Sequence, residues 1–510
     1  MRIRIRTAFG SLLIFLSASV AADNQPKPMD TEEIMGLVQQ YCGSCHAVPS
    51  PALLPKHSWP HVIDAMVELA RNQTGTEFIP PEHVPHIKAL YYGSSPTALP
   101  RLPYVDNEHP SISFTATPIG APSELPQVAH IQPVDFGRGG RSFLVSDGET
   151  GKVTLLEAQK GNNDQVPKWQ ETPLAKLTFP VSTQAMDFNG NGRLDVLVAD
   201  LGVLPPVEAL AGKVFVLEQE ESGQFTQRLI IDGLGRVSDA RAVDINNNGR
   251  LDLAVAVFGG GQVGEVFWLE NLGDGSYKKN TLLRLSGALN LIPADLNGNG
   301  KMDLVTLIAQ EYEEIIAFIN QGDGTFEQMS IANAGHPIFG MTSMKVADLN
   351  QNGRPDLIFT NGDAFDTQND PKPYHGVQWL ENLGDLQFAY HDIGRFYGAA
   401  NLAIGDVSGN GHLDVVASSW VNYWDDPKRQ SLIWFENDGK QNFQPRPISG
   451  NIKGLVPIEL VDMTGNGRLD IITGAFRMDI LNPKISGWDV DEQAGRHQRL
   501  LMFTQEYDAP

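Results

Sequence analysis

The sequence predicts a mainly β protein, a seven-bladed β-propeller preceded by a small all-α domain. Three observations predict it. A loop of the form Asp-x-Asn/Ser/Thr-x-Asn-Gly-x-x-Asp occurs six times, beginning at Asp187, Asp244, Asp295, Asp348, Asp406 and Asp462, with starts 57, 51, 53, 58 and 56 residues apart. A recurring period of this size marks a solenoid, a propeller or an array. An aromatic residue followed five places later by an aliphatic one recurs in step with the loops, and the amino-terminal hundred residues carry helical rather than strand patterning.

The chain begins with Met-Arg-Ile-Arg-Ile-Arg, an apolar stretch over Leu12 to Val20, and Ala21-Ala22. Basic, apolar and small-residue zones in that order read as a secretory signal peptide over 1–22. No later run reaches the 18 apolar residues needed to span a bilayer. The formal charge of −23 becomes −26 once Arg2, Arg4 and Arg6 are removed. That balance disfavours nucleic acid and anionic membranes and favours a basic redox partner. A periplasmic or secreted protein is expected.

Residues 23–94 form the expected all-α domain, with helices over Thr31 to Tyr41, Ser58 to Ala70 and Pro81 to Tyr92. The only two cysteines stand in Cys42-Gly-Ser-Cys45-His46. This spacing attaches a c-type haem through two thioethers, with the histidine placed as proximal ligand. The alternatives are a redox dithiol or a plain disulfide, neither of which needs the histidine.

The segments Cys45-His-Ala-Val-Pro, Trp59-Pro-His-Val-Ile-Asp-Ala-Met66 and Ile87-Lys-Ala-Leu-Tyr-Tyr92 resemble a class I cytochrome c module. The resemblance implies one covalent haem c, and in related modules a methionine after a Trp-containing helix start supplies the sixth ligand. Met66 is the only methionine between His46 and Met186, so it is the candidate here. His57, His61, His83 and His86 are the alternatives, and bis-histidine ligation would lower the potential. A proline-rich linker follows over 95–110, semi-rigid enough to hold the module at one position over the next domain.

The propeller is expected over 111–505. In each loop, oxygen donors fall at positions 1, 3, 5 and 9, the backbone carbonyl of position 7 adds another, and glycine at 6 permits the tight turn, which is the layout of a calcium site. The six sets are Asp187, Asn189, Asn191, Arg193 and Asp195; Asp244, Asn246, Asn248, Arg250 and Asp252; Asp295, Asn297, Asn299, Lys301 and Asp303; Asp348, Asn350, Asn352, Arg354 and Asp356; Asp406, Ser408, Asn410, His412 and Asp414; Asp462, Thr464, Asn466, Arg468 and Asp470. Position 12 is Val198, Val255, Thr306, Phe359, Ala417 or Thr473. An EF-hand needs glutamate there, so these loops join strands instead. Up to six Ca²⁺ are expected, weakly held because most copies bring only two carboxylates. The competing reading is a set of Asx turns braced by their own backbone without metal.

Each repeat supplies four strands. The last is marked by Trp169/Leu174, Phe225/Ile230, Tyr277/Leu282, Phe326/Ile331, Phe388/Ile393 and Phe443/Ile448. Asp135 to Val145 is a decayed loop with Phe143 at position 9, which makes seven blades. The seventh ends after a third strand at Leu500 to Phe503. Phe114 to Ile119 carries the missing aromatic/aliphatic step, so 111–119 is expected as the outer strand of the last blade. Closing the ring this way leaves only short edges. With these loops the chain resembles the FG-GAP/VCBS repeat family of seven-bladed propellers, whose loops bind calcium.

Three long loops, Asn361 to Gly376, Trp420 to Arg429 and Arg477 to Arg496, are expected on one rim, where propellers commonly build ligand sites. His375 and Tyr374 beside Asp363 and Asp366 suit general acid/base work. Trp420, Tyr423 and Trp424 suit stacking on a sugar or another flat ligand. No nucleophile triad, zinc motif, phosphate loop or dinucleotide fingerprint occurs. The function expected is a periplasmic mono-haem cytochrome on a calcium-binding propeller, acting in electron transfer with a redox partner protein, either as carrier or as part of an oxidoreductase. The alternatives are a glycan- or protein-binding propeller with a sensory haem, and an enzyme converting a sugar or alcohol at the rim.

Overall fold

A computed structural model describes residues 29–44, 46–105, 112–136, 141–159, 168–205, 207–365, 371–450, 452–477 and 497–506. Cys45, Asp366, the leader 1–22 and nearly all of the loop ending at Arg496 lie outside them. Three helices come first, α1 (Thr31–Tyr41), α2 (Trp59–Thr74) and α3 (Val84–Ser94). A capping box opens α1, with Asp30 Oδ1 accepting from Glu33 N at 2.8 Å and Glu33 Oε2 from Asp30 N at 3.1 Å. Gly75, in the left-handed conformation, closes α2. The helices pack around Leu54, Trp59, Ile87 and Tyr91, with Trp59 Nε1 donating to the Pro51 carbonyl and Tyr91 Oη to that of Pro49.

The remaining described chain forms seven four-stranded antiparallel sheets, a seven-bladed propeller. The innermost strands are Val128–Val134, Pro180–Met186, Val237–Val243, Ala288–Ala294, Met341–Ala347, Ala399–Gly405 and Leu455–Val461. Every second strand, such as Asp303–Ile308, is buried along its whole length, because a blade is covered on both faces by its neighbours. Outer strands such as Phe326–Asn333 mix exposed and part-buried positions. Across the axis, Lys345 Nζ meets Glu459 Oε1 at 3.1 Å, joining the inner strands of blades five and seven.

In the last blade, Ser113–Ile119 pairs antiparallel with Leu500–Glu506, with Ala116 opposite Phe503 and Ile119 opposite Leu500. Antiparallel order puts the six Asp-rich loops, between first and second strands, on one face with the Gly-rich turns. The opposite face holds the second-to-third-strand loops and the connections between blades. That face also carries the linker. Leu102 N donates to Tyr397 Oη at 2.7 Å, Arg429 Nη2 donates to the Leu102 carbonyl at 3.1 Å, and Tyr104 Oη reaches Asp426 Oδ2 at 2.8 Å.

Candidate functional site

A cavity of about 320 Å³ opens in the helical region, lined among others by Tyr41, Cys42, His46, Trp59, Met66 and Phe78. Cys42 follows the last turn of α1, and burial pushes its thiol above the ordinary range. His46 Nδ1 lies 2.8 Å from the Ala47 carbonyl, so it must donate there, and in the neutral ring Nε2 keeps its lone pair for a metal. Met66 comes from α2. His57, His61, His83 and His86 do not line the cavity among its described residues, and His83 Nδ1 pairs with Tyr41 Oη at 3.1 Å. The set therefore fits a haem: a thiol for covalent attachment, an oriented imidazole and a thioether, in apolar walls.

The propeller reaches the same cavity through Glu311, Tyr312 and Ile338. Nothing in the repeat pattern marks these residues, since they sit in loops that vary from blade to blade. Next to them is His336, held at about 4 by burial, with Lys372 and His46 adding to the effect. Its ring meets Phe339 and Tyr374 edge-on at 5.8 and 5.9 Å.

The rim candidates divide into two groups. Tyr374 donates from Oη to the Ile338 carbonyl at 3.0 Å and stacks on Phe339 at 6.3 Å. Burial raises its phenol well above the ordinary range. His375 is fully buried, and its Nδ1 accepts from Gly398 N at 3.2 Å. Burial first, then Lys372 and Arg395, hold it well below the usual imidazole range. Asp363 Oδ1 caps Phe365 N at 2.8 Å, while its carbonyl accepts from the buried Lys372 Nζ at 2.9 Å. These three residues brace the blade-five loop.

Trp420 belongs to a separate apolar group at the mouth of the ring with Phe179, Leu201, Phe365 and Phe476. It meets Phe365 edge-on at 4.7 Å and donates from Nε1 to the Phe476 carbonyl. Trp424 is buried, and the Arg101 guanidinium lies 4.2 Å over Tyr423. The chain's own residues thus meet the aromatics expected to stack on a ligand.

On the opposite face, the position-1 carboxylates accept from the N–H groups of positions 5 and 6, as Asp295 does from Asn299 and Gly300 at 3.0 and 2.8 Å. Position 5 accepts from position 7, as Asn299 Oδ1 does from Lys301 N. At position 9, Asp303 takes Leu296 N at 3.0 Å on one oxygen and Asn320 N at 2.8 Å on the other. Among the described residues no three His, Cys, Asp or Glu side chains form a metal-holding group. The donors here are largely amide and backbone oxygens. Asn246 Oδ1 and Asn350 Oδ1, both at position 3, are buried and accept no hydrogen bond from the described residues. Orphaned oxygens in that place fit a hard cation.

A second recurring bond crosses between blades. Asn320 Nδ2 donates to the Ile245 carbonyl at 2.8 Å, Asn382 Nδ2 to that of Leu296 at 2.9 Å, and Gln505 Nε2 to that of Val407 at 3.0 Å. An Asn at the end of the third strand is visible in several repeats, but its partner lies in the preceding one.

No curated protein matches the sequence. Among solved structures, that of Sqt1 from Saccharomyces cerevisiae aligns at 12% identity, covering 72% of this chain and 83% of that one, with a TM-score of 0.41. The FG-GAP-like repeat family matches residues 187–255, 244–306 and 306–359. With six loops of that form and seven four-stranded sheets around one axis, this chain is a seven-bladed β-propeller that carries FG-GAP-like repeats.

Proposed function

We propose that the protein is a periplasmic mono-haem c-type cytochrome joined to a calcium-binding propeller, working in electron transfer with a protein redox partner. The observation that carries this is the meeting of Cys42, His46 and Met66 in one apolar cavity. Cys42 and Cys45 would hold the porphyrin by thioethers, with His46 Nε2 and Met66 Sδ on the iron. Bound haem supplies a one-electron couple at a potential set by axial ligands and solvent exposure. The chain's own part is to fix the imidazole through Ala47 and exclude water with Trp59, Ile63, Phe78 and Ile79.

Protein made in a host that attaches haem to Cys-x-x-Cys-His should give one haem per chain in a pyridine haemochrome assay, and the double variant Cys42→Ala/Cys45→Ala should lose covalent attachment. Met66→His should keep the haem and lower its midpoint potential, since Met/His ligation raises it. A wild-type chain without haem refutes the proposal. Reduction of the haem on adding one class of sugar or alcohol would assign an oxidoreductase rather than a carrier.

A further inference from the structure

We infer that the propeller supplies one wall of the haem cavity, with Ile338 and Glu311 as positioning residues that set water access and charge at the haem. The inference rests on the haem reading above. Ile338 is 6% exposed and, among the described residues, is the one propeller residue in the buried cluster built by the three helices. Glu311 and Tyr312, from the turn between the second and third strands of blade four, line the same cavity. A helical module that held its haem alone would need no such residues.

The wall is built rigidly from behind. Gly340 turns the chain at φ +81°, where a Cβ would stand 2.5 Å from the Asp363 carbonyl oxygen, so only glycine fits. Tyr374 Oη holds the Ile338 carbonyl, Asn361 Nδ2 donates to the Phe339 carbonyl at 3.1 Å, and the buried Glu313 carboxylate accepts from Met341 N at 2.6 Å. The module is tied from the other side too. Lys56 N donates to the Pro96 carbonyl at 2.8 Å, and Arg429 grips the linker a few residues later. Neither the wall nor the module is free to swing away.

A haem's potential responds to solvent exposure and nearby charge. The oxidised centre carries one more positive charge, so a carboxylate at the wall favours the oxidised state, and so does water admitted by a shortened side chain.

The test uses the full-length, haem-loaded chain and three variants: Glu311→Gln, Ile338→Ala, and Glu327→Gln as a charge control on the exposed outer strand of the same blade. Haem content is read by pyridine haemochrome, potential by redox titration, and access by the rate at which exogenous imidazole binds. The expected result is one haem in every protein, a higher potential in Glu311→Gln, a lower potential with several-fold faster imidazole binding in Ile338→Ala, and no change in Glu327→Gln. Wild-type potential and imidazole rate in both wall variants, with haem content intact, overturn the inference while leaving the haem reading standing. Should Ile338→Ala fail to fold, the potential of Glu311→Gln decides alone. Absence of haem from the wild type defeats the underlying reading instead.

Discussion

The carboxylate at position 9 does two jobs in five of the six loops, those of Asp195, Asp252, Asp303, Asp356 and Asp414, that its place in the motif does not reveal. Asp303 is fully buried and joins the N–H of Leu296, at the loop's start, to that of Asn320, at the end of the third strand. Burial raises its pKa, and the two N–H bonds oppose that. Asp303→Ala leaves two buried donors unpaired, so a loss of about 3 kcal/mol is expected in a urea titration. Asp303→Asn, which keeps an acceptor, should lose less. His375 sets a pH dependence. The unfolded chain binds a proton there near its ordinary value of 6.5, while the native chain, held well below that, does not. Stability from this group is whole above 6.5 and is lost as the pH falls toward the depressed native value. The drop in urea midpoint between about pH 7.5 and about pH 5 should therefore be smaller in His375→Gln than in wild type. The sequence displays the Asp and the His but not their partners, which arrive from other strands and other blades. It marked Tyr374 and His375 as chemical residues on type alone, and burial makes them braces.

At the scale of elements, local signals carried well. The aromatic/aliphatic steps lie at the starts of outer strands because alternation acts within a few residues, and the helix expected over Thr31 to Tyr41 is present with those bounds, while the second runs past Ala70 to Thr74, where Gly75 stops it. The loops resist such reading. Trp420 and Tyr423 look like ligand platforms until the Phe476 ring and Arg101, from distant parts of the chain, are set against them. The linker is an element of this second kind. Its proline content implies stiffness, but its position comes from Arg429, whose guanidinium serves the Leu102 and Pro103 carbonyls and lies over the Tyr104 ring at 4.6 Å. Arg429→Ala should make the segment around 95–105 a preferred site of limited proteolysis, with cleavage several-fold faster than in wild type and the propeller core intact.

For the whole molecule, the ring was legible because period, turn and strand marks agree over hundreds of residues. The join between the helices and blades four and five was not, since Ile338 and Glu311 sit in loops that vary from blade to blade. The six loops predict a global response to cations. If calcium fills them, chelation should lower the thermal midpoint by several degrees, and calcium at roughly 10⁻⁴–10⁻³ M should restore it. An unmoved midpoint would assign the loops as self-braced turns. The pairing of Ser113–Ile119 with Leu500–Glu506 has one more implication. During synthesis the earliest strand waits, edge bare, until almost four hundred later residues have emerged. A product cut short before Leu500 would leave two unpaired edges and an unsealed circle, open to chaperones and proteases.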